Sequence, residues 1–402
     1  MESRRGAAGR GFAFALGLVA LITPLAVHLF LPVIPAVKLA LGLPDSAAQL
    51  TFTIALFAMA FATLVYGSLS DRYGRRPLLL SGLVLFLIGS AISAIAQTAP
   101  VLALGRLVQA VGAGCSMTLV RTIARDAYRA EHLVRAIAYL TMFYTLGPML
   151  APLVGGVLID TLGWRSVFGF ALIAGGIITV AAYLGIPETR PPRDPALAQI
   201  ELLRGYAELF SRPQFVGYVL QSGFNTAAFM TMASASATLM KELLHRPSSE
   251  FGFYFLLFPV GFFFGTFVSS RVGSRVSSEA MVLTGSLLAL ATIAVQSVLF
   301  LSGQVAPLTF FAPGFFLTFS QGIALPYAQV GAMAVIPRLA GTAAGIGVFM
   351  QNFGGGVFAQ LYGFFANGTP LPMIAILACS GALCVAAGAL PFAFRRSVAD
   401  KL

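Results

Sequence analysis

Apolar residues run along this chain in long blocks, without the two-residue alternation of half-buried strands. Short polar stretches separate the blocks into twelve. The first six cover approximately 11–35, 47–67, 78–97, 100–121, 136–158 and 164–186; the second six cover approximately 213–240, 250–270, 279–302, 308–335, 341–364 and 371–394. Each is close to the ~20 residues that carry a helix across a hydrocarbon core of about 30 Å. The expected fold class is an all-α membrane protein of twelve transmembrane helices. The one long polar stretch, Pro187 to Pro213, holds Pro191, Pro192 and Pro195 with charges of both signs. It reads as a linker over 187–212, between a six-helix half at 1–186 and another at 213–402. Ala198–Phe210 is expected to form an amphipathic helix on the membrane surface.

Composition supports a bilayer as the solvent: 58% of residues are hydrophobic and 10% charged, against about 25% charged in soluble domains. A net charge of +11 would suit nucleic acid if the basic residues shared one face. They sit instead in short loops, which favours the lipid bilayer as partner and excludes nucleic acid. With the N-terminus inside, twenty of the 25 basic residues fall on the cytoplasmic side: Arg4, Arg5, Arg10, Arg72, Arg75, Arg76, Arg121, Arg125, Arg129, Arg135, Arg190, Arg193, Arg204, Arg212, Arg271, Arg275, Arg338, Arg395, Arg396 and Lys401. Lys38, Arg165, Lys241 and Arg246 fall outside, and Arg106 lies within a span. This bias predicts a multi-pass inner (plasma) membrane protein with both termini cytoplasmic. The first apolar run is longer than a signal-peptide core and reads as a membrane helix. Cys115, Cys379 and Cys384 lie in apolar runs and read as packing residues. His132 and His245 read as solvated loop residues. No metal cluster, cofactor motif or nucleotide-binding loop is recognisable, so neither an enzyme nor an ATP-driven pump is expected.

Four stretches carry chemistry. Gly67-Ser68-Leu69-Ser70-Asp71-Arg72-Tyr73-Gly74-Arg75-Arg76-Pro77 joins the second and third spans, and Ser270-Arg271-Val272-Gly273-Ser274-Arg275 repeats part of it between the eighth and ninth, without the aspartate. Arg106 sits in the fourth span within Gly105-Arg106-Leu107-Val108-Gln109-Ala110-Val111-Gly112. An arginine at membrane depth costs at least ~2.5 kcal/mol; it either serves the bundle interior or snorkels to the outer end. The fifth span holds Gly147, Pro148, Pro152, Gly155 and Gly156, where prolines bend the helix and glycines admit a close neighbour. The first span holds His28 before Phe30-Leu31-Pro32. All fourteen acidic residues fall outside the middles of the spans, so His28 and Arg106 are the ionisable candidates of the membrane interior, and a neutral or anionic cargo is expected there.

In these stretches the chain resembles the major facilitator drug:proton antiporters, nearest the bicyclomycin and chloramphenicol resistance (Bcr/CflA) branch. The loop is similar to the family's Gly-x-Leu-x-Asp-Arg-x-Gly-Arg-Arg/Lys, the fourth span to Arg-x-x-Gln-x-x-Gly, the fifth to Gly-Pro-x-x-Gly-Gly with extended spacing, and the first to Tyr-Leu-Pro-x-x-Pro. His28 stands where that branch usually has an acidic residue. The resemblance implies two six-helix halves rocking about a central site, exporting small hydrophobic compounds as protons enter, with no cofactor and as a monomer. It makes Gly67, Asp71, Arg72, Gly74, Arg75 and Arg76 a conformational latch with Asp126 as accessory. It gives His28, Arg106 and Gln109 roles in proton coupling or substrate binding. It also makes the fifth-span glycines and prolines a seal against a neighbour from the other half. His28 is either a proton carrier or a neutral histidine bonded within the bundle. Gln221, Asn225, Thr226, Gln321, Gln329, Gln351 and Asn352 are cavity candidates or helix-to-helix bonds. Phe143, Tyr144, Phe224 and Phe229 line a pocket or, taken singly, face lipid. An exporter of an endogenous metabolite and a non-transporting receptor or scaffold are the alternatives.

Overall fold

The computed structural model describes residues 10–189 and 205–399, and no strand occurs among them. The chain divides into two compact units, 1–196 and 197–402. Arg4, Arg5, Arg190, Arg193, Arg204 and Lys401 lie outside the described residues, as do positions 198–204 of the expected surface helix.

In the first unit, the opening span is three helices rather than one: α1 (Arg10–Ala20), α2 (Ile22–His28) and α3 (Val33–Leu41). Proline explains both breaks. A proline cannot donate to the carbonyl four residues earlier, and its ring crowds that carbonyl. The residues four before Pro24 and Pro32 are Ala20 and His28, which are the last residues of α1 and α2. The remaining spans are α4 (Asp45–Tyr73), α5 (Arg75–Ala94), α6 (Ala99–Ala127), α7 (Ala130–Leu162) and α8 (Arg165–Gly185). At 33 residues, α7 reaches about 50 Å and extends well past a hydrocarbon core. His132 therefore lies in its first turn, exposed, rather than in a loop. Helices α5 and α6 meet backbone to backbone: a Cβ on Gly89 would stand 2.1 Å from the Gln109 nitrogen.

The second unit holds α9 (Pro213–Glu242), α10 (Ser248–Phe255), α11 (Leu257–Val272), α12 (Ser278–Leu301), α13 (Pro307–Val335), α14 (Ala340–Phe365) and α15 (Leu371–Ala399). The proline rule recurs: α10 ends at Phe255, four residues before Pro259. Thus α10 and α11 form one span.

Ten described stretches are both long and apolar enough to cross a membrane. The other two expected spans correspond to α9 and α14, which are long enough at 30 and 26 residues but more polar. Helix α9 carries Gln221, Asn225, Thr226, Thr231, Ser234 and Ser236, all buried, so most of its surface meets protein rather than lipid.

The described end of the expected surface helix, residues 205–210, is helical. Leu209 is fully buried in a cluster with Phe215, Tyr218, Ala332 and Ile336, and Glu208 pairs with Arg338. Leu209 and Tyr206 thus turn into their own half, while Phe210 stays exposed. Of the cysteines, Cys115 and Cys384 are buried as expected, while Cys379 is exposed on the helical surface.

Candidate functional site

The Gly67–Pro77 stretch is helical almost throughout. Gly67, Asp71 and Arg72 ride on the end of α4, Arg75 and Arg76 open α5, and Gly74 alone makes the turn, with φ +100. Only glycine adopts that backbone at low cost. A Cβ there would also stand 2.6 Å from Glu188 Oε2. Gly67, by contrast, faces open space.

Arg75 is the hub of this corner, 3% exposed. Its Nη2 pairs with Asp71 at 2.7 Å, its Nε with Asp126 Oδ2 at 3.0 Å, and its Nη1 donates to Ser70 Oγ. Asp126 is 10% exposed and Asp71 54% exposed, so Asp126 rather than Asp71 is the sheltered partner. Arg72 and Arg76 turn outward, over Tyr73 and Tyr183.

Sequence reasoning missed Glu188. Its two carboxylate oxygens accept from the Arg75 and Arg76 backbone N–H groups, at 2.9 and 3.1 Å. These are free donors of the first turn of α5, where a helix favours an anion. The carboxylate at that helix N-terminus is therefore Glu188, arriving from the end of α8, and not Asp71. The only sequence signal was an acid directly after the sixth span. Glu188→Ala is expected to lower stability by about 1 kcal/mol, the usual scale for losing an N-terminal cap. A melting curve of the purified variant checks it; an unchanged midpoint would show that the cap is idle.

In the second unit, the corresponding turn has Gly273 at φ +55. Tyr327 Oη donates to the Gly273 carbonyl at 2.6 Å, so a neutral hydroxyl from α13 holds the corner where the first unit uses charge.

Arg106 does not snorkel. It is 1% exposed, and its Nε donates to the Thr51 carbonyl at 3.3 Å and its Nη1 to Gln109 Oε1 at 2.5 Å. Its guanidinium lies 4.1 Å from the centre of the Phe30 ring. Gln109 Nε2 donates in turn to Ser90 Oγ at 2.8 Å, and Ser90 to the Phe86 carbonyl. The network ties α4, α5 and α6 together without a carboxylate.

His28 is buried at the end of α2, two residues before Phe30. The fifth-span glycines bracket it. A Cβ on Gly147 would stand 2.1 Å from Pro24 Cβ, and one on Gly155 would stand 2.7 Å from the Leu29 carbonyl oxygen. Pro148 and Pro152 lie inside an unbroken α7, and Pro152, Gly155 and Gly156 are buried. The tight approach of Gly147 and Gly155 is thus to the first span of their own half, where a neighbour from the other half was expected. The physical reason is the kinked first span: its prolines present a surface that only glycine can meet. Gly147 and Gly155 thus meet the first span on either side of His28, Arg106 and Gln109 form their own network beside Phe30, and the Arg75 corner is a separate structure.

The second unit's polar candidates diverge. Gln221 donates to Ser286 Oγ on α12 at 3.1 Å and lies beside Cys384 on α15, so it bonds helices within its half. Gln321 donates to Thr226 at 3.3 Å, joining α13 to α9. Asn225 is buried with neither amide atom bonded, Gln329 and Gln351 are half-buried, and Asn352 donates to the Val348 carbonyl. Three of the aromatic candidates pack on protein: Phe143 over Gly17, Phe224 against Phe358, and Phe229 against Phe258. Tyr144 is half-buried.

Known proteins match this architecture. The sequence profile of the Major Facilitator Superfamily matches residues 16–359. Multidrug resistance protein D of Escherichia coli (strain K12) is 29% identical over 346 residues, 86% of each chain. The bicyclomycin resistance protein homolog of Haemophilus influenzae is 23% identical over 90% of this chain and 91% of its own length. Among solved structures, a D-xylose–proton symporter superposes with a TM-score of 0.78 at 16% identity, covering 96% of this chain and 97% of that one. A bacterial homolog of the human lysosomal transporter Spinster superposes at 0.73, with 17% identity, over 99% and 98%. At such identities the two structures speak for the fold alone.

Proposed function

This chain belongs to the Major Facilitator Superfamily, and on that premise we propose that it is a secondary transporter that exports small hydrophobic compounds from the cytoplasm by alternating access, with protons entering in exchange. The observation that carries the reading is Arg106, a charge held fully buried at membrane depth by neutral partners. Such a group is costly in a helical bundle and marks a cargo or ion pathway. The relatives named for multidrug and bicyclomycin resistance make antibiotics of that kind the first cargoes to test. The bias of basic residues supports an inner-membrane protein with both termini cytoplasmic.

His28 carries the proton in this reading. It is the one side chain at span depth with an ordinary pKa near neutrality, and it ends α2 at the break that α7 clasps. Its charge state then bears on the packing of Gly147 and Gly155, so one proton acts where the first span bends. Asp71, Asp126 and Arg75 act as the latch at the cytoplasmic corner.

The test uses inside-out vesicles with an acid interior and a fluorescent pH reporter. Adding cargo is expected to release protons in the wild type and to release none in His28→Ala. Cargo flux without any pH response in the wild type would defeat proton coupling while leaving export in place.

A further inference from the structure

Arg106 is gripped on three sides. The Thr51 carbonyl holds Nε, Gln109 holds Nη1, and the Phe30 ring covers one face. Nη2 is different: it is buried and has no hydrogen-bond partner. Native structures rarely leave a buried polar group unpaired, and a charged donor is the costliest kind to leave so. The other three contacts prevent the guanidinium from rotating to satisfy that nitrogen itself. The result is a fixed positive group with one nitrogen and its two N–H groups held open, and no described carboxylate is paired with it.

We infer that Arg106 Nη2 is the hydrogen-bond donor to an oxygen acceptor on the cargo, and that the protein selects compounds bearing a carbonyl-type oxygen and rejects cations. The inference rests on the export reading and names its cargo class. The chemistry follows from what is present. A carbonyl oxygen accepts from an Nη2 N–H and makes the charge-assisted bond that this nitrogen lacks. A cation meets only repulsion, strengthened by the low local dielectric. Phe30, fixed against Phe52 and Phe168, gives the apolar body of such a compound an aromatic wall beside the donor. Nη2 is sealed in this conformation, so cargo reaches it as the helices part during the cycle.

The test is binding to the purified full chain by three probes of one shape: N-butylbenzamide, which has the carbonyl; benzyl butyl thioether, which is neutral without it; and N-benzylbutylamine, which is a cation. The wild type is expected to bind the amide about ten-fold more tightly than the thioether, the scale of a hydrogen bond to a charged donor, and the amine most weakly. In Arg106→Leu the advantage of the amide over the thioether is expected to vanish. Equal binding of all three by the wild type, or an amide advantage that survives in Arg106→Leu, would overturn the inference. Where Arg106→Leu fails to fold, Arg106→Lys, which keeps the charge but has no Nη2, is expected to lose the same advantage, and an amide advantage that persists in it would overturn the inference. Efflux of the same probes from cells separates the two readings. A correctly ranked binder that is never transported defeats export alone, and an amine transported as well as the amide defeats the cargo class alone.

Discussion

Replacing Arg75 by glutamine is expected to be among the most damaging single changes in the first half, both to stability and to transport. Arg75 is buried and, among the described residues, is the cation paired with Asp126, which is itself 10% exposed. Removing one partner of a sheltered pair leaves the other charge uncompensated, at a cost of about 3–5 kcal/mol. The glutamine also loses the bond to Ser70 and the link to Asp71. Asp71→Asn should be far milder, because an exposed pair contributes only about 0–1 kcal/mol. Melting curves of Arg75→Gln, Asp126→Asn, Asp71→Asn and the Arg75→Gln/Asp126→Asn pair check this ordering. The double variant is expected to recover part of the loss, since it no longer buries a lone carboxylate. A larger penalty for Asp71→Asn than for Asp126→Asn would overturn the assignment of Asp126 as the principal partner. Transport per folded molecule is expected to fall at least ten-fold in Arg75→Gln, because the corner it joins links α4, α5 and α6.

The other large effect is expected from a change of one methyl group. Gly89→Ala places a Cβ 2.1 Å from the Gln109 nitrogen and 2.5 Å from its Cα. Both are backbone atoms in the middle of α6, so no side chain can swing aside. The helices must separate, which strips packing along the whole α5–α6 seam and pulls Gln109 away from Ser90. Overpacking of this kind costs about 1–3 kcal/mol where a core can relax; here the obstacle is a helix backbone, and folded protein is expected to be lost from the membrane. Gly169→Ala is the matched control, since its added methyl meets nothing within 4 Å. Fluorescence size-exclusion profiles of the two variants distinguish them. A monodisperse Gly89→Ala peak at wild-type yield would show that the seam is looser than its geometry implies.

Much of this architecture was legible in the chain. The spans follow from apolar run length, because a bilayer imposes one thickness on every helix that crosses it. The breaks at Ala20, His28 and Phe255 each lie four residues before a proline, but the chain alone did not separate these prolines from Pro148 and Pro152, which α7 carries unbroken. The depth of Arg106 and the scarcity of membrane carboxylates are likewise properties of sequence order. What the chain could not disclose depends on residues far apart. Glu188 reaches the first turn of α5 across more than 100 positions. The close neighbours of Gly147 and Gly155 belong to the first span rather than to the other half. Gln221 turns toward α12 and α15, and Leu209 plugs a core instead of lying on lipid. In each case the residue type and its helix were plain, but its direction was not. A polar or glycine position on a helix buried on all sides has several faces to choose from, and periodicity marks a preferred face only where one side is lipid. Apolarity along the chain determined which segments cross the membrane; packing among the helices decided which way each functional side chain turns.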